Sequence, residues 1–239
     1  MIYHFDITAS TNDDARDEKY REGDVVWADF QSAGRGQRGH VWHSRKGENL
    51  TFSVVLEPMF VAIAEQFSVS EVVALSLVDM LAEYGIEARV KWTNDIYVGD
   101  RKLVGILIEH SLAPTTLRRT IVGVGINVNQ REFDPSIPNP VSMAQLLDCE
   151  LDAEQVLQCF LNHLQRRYQQ LREGGAEALH SRYNDLLYRR DEYHTYALPN
   201  GERFSAKILG TAPSGALRVE DEEGCVKDYL FKEIEFVIF

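Results

Sequence analysis

Lys91-Trp92-Thr93-Asn94-Asp95-Ile96-Tyr97-Val98-Gly99-Asp100-Arg101-Lys102-Leu103-Val104-Gly105-Ile106-Leu107 is the stretch from which the rest of the chain can be read. Arg89 to Trp92, Asp95 to Val98 and Leu103 to Glu109 are short apolar runs with strand character, and Gly99-Asp100 supplies a turn between the last two. The stretch predicts a hairpin whose polar residues close one strand end, with Lys102 just beyond the turn. Asp95 has the chemistry to hold a metal or orient an amine, and Lys102 that to neutralise a phosphate or carboxylate. An ordinary surface hairpin carries the same signature, so the flanking segments decide between the two.

Upstream, Ser10-Thr11-Asn12-Asp13-Asp14 reads as a helix start, with cap residues followed by acids in the first turn, and predicts a helix ending near Gly23. Val25 to Ala28 and Leu50 to Leu56 read as strands. Between them lies Gly34-Arg35-Gly36-Gln37-Arg38-Gly39, a basic glycine loop followed by Trp42. Ser68 to Tyr84 is apolar on nearly every side and stops at Gly85, which predicts a helix buried against a sheet. Downstream, Thr120 to Asn129 reads as a strand in which Gly123 and Gly125 permit close backbone approach and Asn127 could donate to a ligand. Pro135 to Pro140 reads as a loop. Asp152 caps a helix running to Gly174, and a shorter helix follows over Ala176 to Leu187. Composition shifts after Tyr188. Five short alternating runs there, broken at Pro199-Asn200-Gly201, Pro213-Ser214-Gly215 and Glu223-Gly224, predict a small β-barrel. The expected division is residues 1–188 and 189–239, with the tail a scaffold, since every candidate ligand contact precedes residue 130.

The chain has 239 residues, 44% hydrophobic and 26% charged, as in a soluble globular protein. No segment approaches the ~20 apolar residues of a membrane span, and Met1 to Asp6 lack the regions of a secretory signal. Cys149, Cys159 and Cys225 are odd in number and without metal-ligand spacing; they fit a reducing cytoplasm and read as small hydrophobes. Net charge is −12, which opposes binding to a phosphate backbone. Between Asp29 and Glu48, however, there is no carboxylate, while Arg35, Arg38, Arg45 and Lys46 accumulate with His40 and His43. That island suits a small anion and is too short for a nucleic-acid groove.

The glycine loop lets backbone amides approach a ligand, and its arginines bring planar donors. It is not a Walker loop, and because it precedes a strand it is not a dinucleotide fingerprint. Ser10-Thr11-Asn12, then Gln31-x-x-Gly34-Arg35-Gly36-Gln37-Arg38-Gly39-x-x-Trp42, then Lys91-Trp92-x-Asn94-Asp95 with Lys102-x-x-Gly105-Ile106-Leu107, then Gly125-Ile126-Asn127-Val128-Asn129 occur in that order. With these motifs the chain resembles the bacterial biotin protein ligases, by motif over residues 8 to 130 and by layout beyond. Two positions depart from the family pattern: Thr93 stands where proline is usual, and His40 where a basic residue is common.

The resemblance implies an α+β fold, with a mixed, largely antiparallel sheet flanked by helices, related to class II tRNA synthetase cores, and an SH3-like barrel at the C-terminus. It implies a two-step reaction. Biotin carboxylate attacks the α-phosphorus of ATP to give biotinyl-5′-AMP and pyrophosphate, with Mg²⁺ as the expected metal; a lysine of a biotin carboxyl carrier protein, as in acetyl-CoA carboxylase, then takes the biotinyl group. Carried over by position, Arg35, Lys102 and Asp95 would be catalytic, Asp95 orienting the carrier lysine. Ser10, Thr11, Asn12, Gln31, Gly34, Arg35, Gly36, Gln37, Lys102 and Gly105 would meet biotin. Arg35, Arg38, Trp42, Lys91, Asn94 and Asn127 would meet ATP or the adenylate. With nine residues ahead of Ser10, the winged helix of DNA-binding relatives is expected to be absent. A homodimer through the catalytic sheet is among the arrangements the family adopts. A lipoate or octanoate ligase of the same fold, a non-catalytic adenylate-binding module and a DNA-binding regulator are the competing readings; retained Lys102 and Arg35 argue against the second, and the −12 charge against the third.

Overall fold

The computed structural model describes residues 1–39 and 41–238, Arg38 without its side chain. His40, one of the two departures noted above, lies outside the described residues. In chain order the elements are β1 (Ile2–Phe5), α1 (Thr11–Asp14), β2 (Val25–Ala28), β3 (Leu50–Leu56), α2 (Phe67–Glu83), β4 (Arg89–Lys91), β5 (Asp95–Val98), β6 (Arg101–Leu112), β7 (Leu117–Ile126), α3 (Met143–Leu147), α4 (Ala153–Arg172) and α5 (Ala176–Asp185). The C-terminal part adds β8 (Tyr193–Ala197), β9 (Arg203–Thr211), β10 (Leu217–Asp221), β11 (Val226–Tyr229) and β12 (Glu235–Phe236).

Seven strands form one sheet in the order β1-β2-β3-β7-β6-β5-β4. Only β1 and β2 run parallel; the other neighbours are antiparallel, so the sheet is mixed. Helices α2, α4 and α5 pack together as a layer on it. The all-round hydrophobicity of α2 has its reason here. Val69, Val72, Leu75, Leu77, Met80 and Leu81 are fully buried between the sheet and the other two helices. Each such side chain contributes about 1.5–3 kcal/mol, an upper bound given residual burial in the unfolded chain. Asp152 caps α4 by accepting from the amides of Glu154 and Gln155, as its position predicts. The C-terminal strands form a five-stranded antiparallel sheet, β11-β10-β9-β8-β12, the barrel-like unit expected.

Three local readings need correction. The helix after Ser10 is a single turn, not a run to Gly23. Nη2 of Arg119 on β7 donates to the carbonyls of Ala15 and Asp17 at 3.0 Å and Tyr20 at 3.2 Å, giving those oxygens partners that a continuing helix would otherwise supply. β1 and α3 were not anticipated. α3 carries a capping box, in which Gln145 N donates to Ser142 Oγ and Gln145 Oε1 accepts from Ser142 N. Cys149 and Cys225 are exposed rather than packed. Cys159 donates to Glu83 at 3.2 Å beside His163, which reaches the same carboxylate at 2.7 Å; burial and that carboxylate push the thiol up to about 11. Among the described residues no helix is long and apolar enough to cross a membrane.

The two sheets share one hydrophobic cluster and are also joined by polar contacts. Buried Glu71 on α2 accepts from His180 Nδ1 at 2.6 Å, Asn184 Nδ2 donates to His180 Nε2 at 3.1 Å, and Asn184 Oδ1 accepts from Thr211 N at 2.7 Å. Burial raises the Glu71 carboxyl above its ordinary range while His180 acts against it. Trp92 Nε1 donates to Gly215 O at 2.9 Å, and a Cβ added at Gly215 would lie 2.5 Å from Phe67 Cδ2 on α2.

Gly215 (φ +89°) and Gly224 (φ +80°) have similar backbones, but around Gly224 nothing lies within 4 Å of an added Cβ. Alanine at either position should lose ~1–2 kcal/mol to the left-handed conformation. Only Gly215→Ala adds overpacking, ~1–3 kcal/mol more. Urea unfolding of the two variants measures the difference; equal losses would mean that the Phe67–Gly215 contact does not hold the sheets together.

Candidate active site

One face of the large sheet carries a cavity of about 560 Å³. Its floor is the backbone of β6 and β7, bared by glycine. A Cβ at Gly123 would lie 2.1 Å from Asn12 Oδ1, and one at Gly125 would lie 2.3 Å from Trp42 Cε2. Gly105 is also covered by Trp42, whose Cζ3 would be 2.9 Å from a Cβ there. The three glycines therefore seat an amide and an indole directly on the sheet. The period-two spacing of Gly123 and Gly125 puts both on the same face.

Above this floor the segment Ser10–Asn12 forms one end wall. Thr11 N donates to Gln31 Oε1 at 2.8 Å, and Thr11 Oγ1 lies 3.2 Å from the same oxygen. Ser53 Oγ donates to Asn12 Oδ1 at 2.6 Å and lies 2.8 Å from Thr11 Oγ1. Asn12 Nδ2 donates to Leu107 O and to Glu109 Oε2 at 3.2 and 2.9 Å. Arg35 reaches the cavity from the glycine loop, its guanidinium donating to Asp13 and to Glu109. Burial alone would make that guanidinium easier to deprotonate, but the two carboxylates outweigh it and bind the proton more firmly.

The hairpin of β5 and β6 supplies the other end. Lys102 Nζ lies 2.6 Å from Asp95 Oδ1, and Lys91 Nζ lies 3.6 Å from Asp95 Oδ2. Burial pulls the Lys91 ammonium below the ordinary lysine range, with Asp95 opposing and Lys102 adding to the shift. Asn94 Nδ2 donates to Ile106 O at 2.8 Å, which ties the loop before β5 to β6. The Trp92–Thr93 peptide, at the position of the other departure noted above, is cis. Ser10 Oγ, Gln37 Oε1 and Trp42 Nε1 are buried on the lining with no hydrogen-bond partner among the described residues.

Of the residues singled out in the sequence, Ser10, Thr11, Asn12, Gln31, Arg35, Gly36, Gln37, Trp42, Lys91, Asn94, Asp95, Lys102 and Gly105 line this one cavity. Gly34 and Asn127 do not. Gly34 O accepts from Trp42 N at 3.1 Å, holding the two arms of the glycine loop together. Asn127 is 4% exposed and its Nδ2 donates to Val141 O at 3.0 Å, so its amide nitrogen fastens the segment ahead of α3. The side chain of Arg38 lies outside the described residues.

Phe231, Ile234, Glu235 and Phe236 also line the cavity, so its lining reaches into the tail, beyond the candidate contacts read from the sequence. Lys91 Nζ lies 5.0 Å from the Phe236 ring centroid. Nothing in the short runs of the tail marked these residues. Ser53 and Glu109 were missed too, although a polar residue inside the apolar run Leu50–Leu56, and a carboxylate closing Gly105–Ile108, were signals in the sequence.

The sequence profile of the biotin/lipoate A/B protein ligase family matches residues 4–127. The bifunctional ligase/repressor BirA of Bacillus subtilis is 31% identical over 245 residues, an alignment covering 96% of this chain and 72% of that protein. The biotin–[acetyl-CoA-carboxylase] ligase of Paracoccus denitrificans is 34% identical over 139 residues, or 55% of this chain and 57% of that protein. Among solved structures, the biotin protein ligase of Aquifex aeolicus in complex with biotin and ATP superposes with a TM-score of 0.84 at 25% identity, covering 98% of this chain and 97% of that one. The motifs that meet at this cavity and these likenesses lead to one assignment: the chain is a ligase and belongs to the biotin/lipoate A/B protein ligase family.

Proposed function

We propose that the enzyme activates biotin with ATP as biotinyl-5′-AMP and transfers the biotinyl group to a lysine of a biotin carboxyl carrier protein. The observation that carries the reading is the pairing of two unlike ends in one cavity: hydrogen-bonding groups at Ser10–Asn12 with Arg35 beside them, and the ammonium groups of Lys91 and Lys102 at the other end. A ligand that fits must be a neutral, hydrogen-bonding head joined to an anion. Biotin has a ureido ring and a carboxylate. Relatives that carry the words biotin ligase in their names support the choice.

In the first step a carboxylate oxygen attacks the α-phosphorus, and the bond from that phosphorus to the bridging oxygen breaks to release pyrophosphate. Two anions must meet, so the protein's task is positioning and charge neutralisation. Lys102 is held by Asp95 beside the cavity; Arg35 stands at the opposite side. Mg²⁺ takes one or two carboxylates together with substrate phosphates. Asp95 and Glu235 on the described lining fit that demand, and either would hold an ATP-bound Mg²⁺, which supplies neutralisation of phosphate charge. In the second step the carrier's amine attacks the acyl carbon, AMP leaves with the anhydride oxygen, and the amine loses a proton. Asp95, an acceptor-only group at the lining, is the residue to orient that amine. Because the reaction consumes ATP, the proposal places the enzyme in the cytoplasm.

Isotope exchange between pyrophosphate and ATP tests the reading. Biotin should support exchange, and lipoate or octanoate should not; exchange with lipoate alone would make the chain a lipoate ligase. Lys102→Ala should lower biotin-dependent exchange by ~10² or more, the scale of one preorganised electrostatic contact. An unchanged rate would remove Lys102 from the chemistry.

Gly123→Ala should raise the biotin Kd about 10-fold or more without ATP present, because the added methyl takes the place of the Asn12 carboxamide. Calorimetric titration measures it, and unchanged binding would show that Asn12 does not meet biotin.

A further inference from the structure

Glu109 stands on β6 outside the cavity lining, yet it touches two of the side chains that line it. Its Oε2 accepts from Asn12 Nδ2 at 2.9 Å, and its Oε1 accepts from Arg35 and, at 2.7 Å, from Arg16 Nη2. We infer that Glu109 is a positioning residue for the activation step, fixing the orientation of the Asn12 amide and the place of the Arg35 guanidinium together. The inference rests on the function proposed above.

The first half follows from donor and acceptor chemistry. A carboxylate only accepts, and so does the carbonyl of Leu107. Both face the same nitrogen of Asn12, so that side must be the amide NH₂. Asn12 Oδ1 is thereby turned the other way, where Ser53 Oγ donates to it at 2.6 Å. An amide oxygen has a second lone pair, and Asn12 lines the cavity. Glu109 therefore makes Asn12 an acceptor for a ligand N–H. With a donor in its place the amide could turn over and present NH₂ to the ligand, with the opposite preference.

The second half concerns Arg35. Its guanidinium has five N–H donors; one contact to Asp13 and one to Glu109 leave three without a partner among the described residues. Glu109 and Arg35 also share a hollow on the outer side of the glycine loop, so the carboxylate holds the arginine from behind while the arginine lines the main cavity. The free donors are available to an anion there. Burial would raise the Glu109 carboxyl, but the bonds from Asn12 and Arg35 prevail and hold it below the usual carboxylate range, so it stays charged at neutral pH.

Glu109→Gln keeps the shape and an acceptor oxygen for Asn12 but removes the charge that holds Arg35. Biotin Kd should stay within about 3-fold, while the maximal rate of biotin-dependent pyrophosphate exchange should fall ~10-fold or more, the scale of a hydrogen bond to a charged group. Glu109→Ala should lose both affinity and rate. A cycle with Arg35→Ala separates positioning from a general structural role: in that background Glu109→Gln should change the rate less than ~2-fold, because the group it acts through is gone. Overturning results are an unchanged rate in Glu109→Gln, or the same loss with and without Arg35. If the glutamine variant unfolds, Glu109→Asp, which keeps the charge on a shorter arm, carries the same cycle. Should the wild-type protein exchange with lipoate and not biotin, the function proposed above fails; the cycle, run with the accepted acid, still decides the role of Glu109.

Discussion

The site depends on two side chains lying against bare backbone. Asn12 and Trp42 sit on β7 at Gly123 and Gly125, closer than any Cβ would allow. Everything at the cavity is measured from that floor. With Asn12 at this depth, Ser53 on neighbouring β3 can reach its oxygen and Glu109 on β6 its nitrogen. Trp42 at this depth brings the returning arm of the glycine loop over the sheet, and the Arg35–Val41 pairing then sets where Arg35 leaves the backbone. Interiors are close-packed, so one methyl at either glycine is felt by the polar ladder and by the loop alike.

Charge is arranged by the fold rather than by the sequence. The stretch between Asp29 and Glu48 lacks acids, and along the chain it reads as a positive island. In space Arg35 meets Asp13 and Glu109, and Arg45 meets Glu132 at 3.1 Å. The strong local excess implied by the sequence is therefore reduced, and what remains at the cavity is directional: guanidinium donors not used by the carboxylates, and two ammonium groups sharing Asp95. Lys91 lies inside this group, where burial weakens its hold on a proton and Asp95 restores part of it. A −12 protein can thus attract an anion at one place without a basic surface.

What the sequence disclosed was local. Helix α2 was legible because burial on all sides leaves no polar stripe, and the β5–β6 hairpin because Gly99-Asp100 sits between two apolar runs. Asp152 announced α4 through its cap. The failures share a cause, which is partners distant along the chain. The turn after Ser10 stops where Arg119 supplies hydrogen bonds from β7. The amide nitrogen of Asn127 bonds to Val141 O, a partner that its sequence neighbours do not announce. Glu109 is simply the last residue of the run Leu103 to Glu109 in the sequence, and only the fold brings Asn12 and Arg35 to it. Motif residues gather in one cavity because they share the loops at one edge of that floor; the partners that orient them carry no motif.

The tail shows the same logic at larger scale. Its strands have the short period and turns of an independent unit, and on that ground alone it would be a scaffold. Three contacts make it part of the site. Trp92, in the motif just before β5, donates to Gly215 O. Phe67, at the start of α2, packs against the same glycine. Phe236 lies beside Lys91, with Phe231 and Ile234 on the cavity lining. The motif segment is thus held from the sheet side by Asn94 and from the tail side by Trp92. A buried ammonium such as Lys91 needs both a carboxylate partner and walls that exclude water, because Coulomb attraction strengthens as the local dielectric falls. Asp95 and the Tyr97 ring, 5.2 Å from Lys91 Nζ, come from the large sheet, and the Phe236 ring comes from the tail. Both sheets contribute walls to that environment, so the apolar surface that joins them has a chemical as well as a structural consequence.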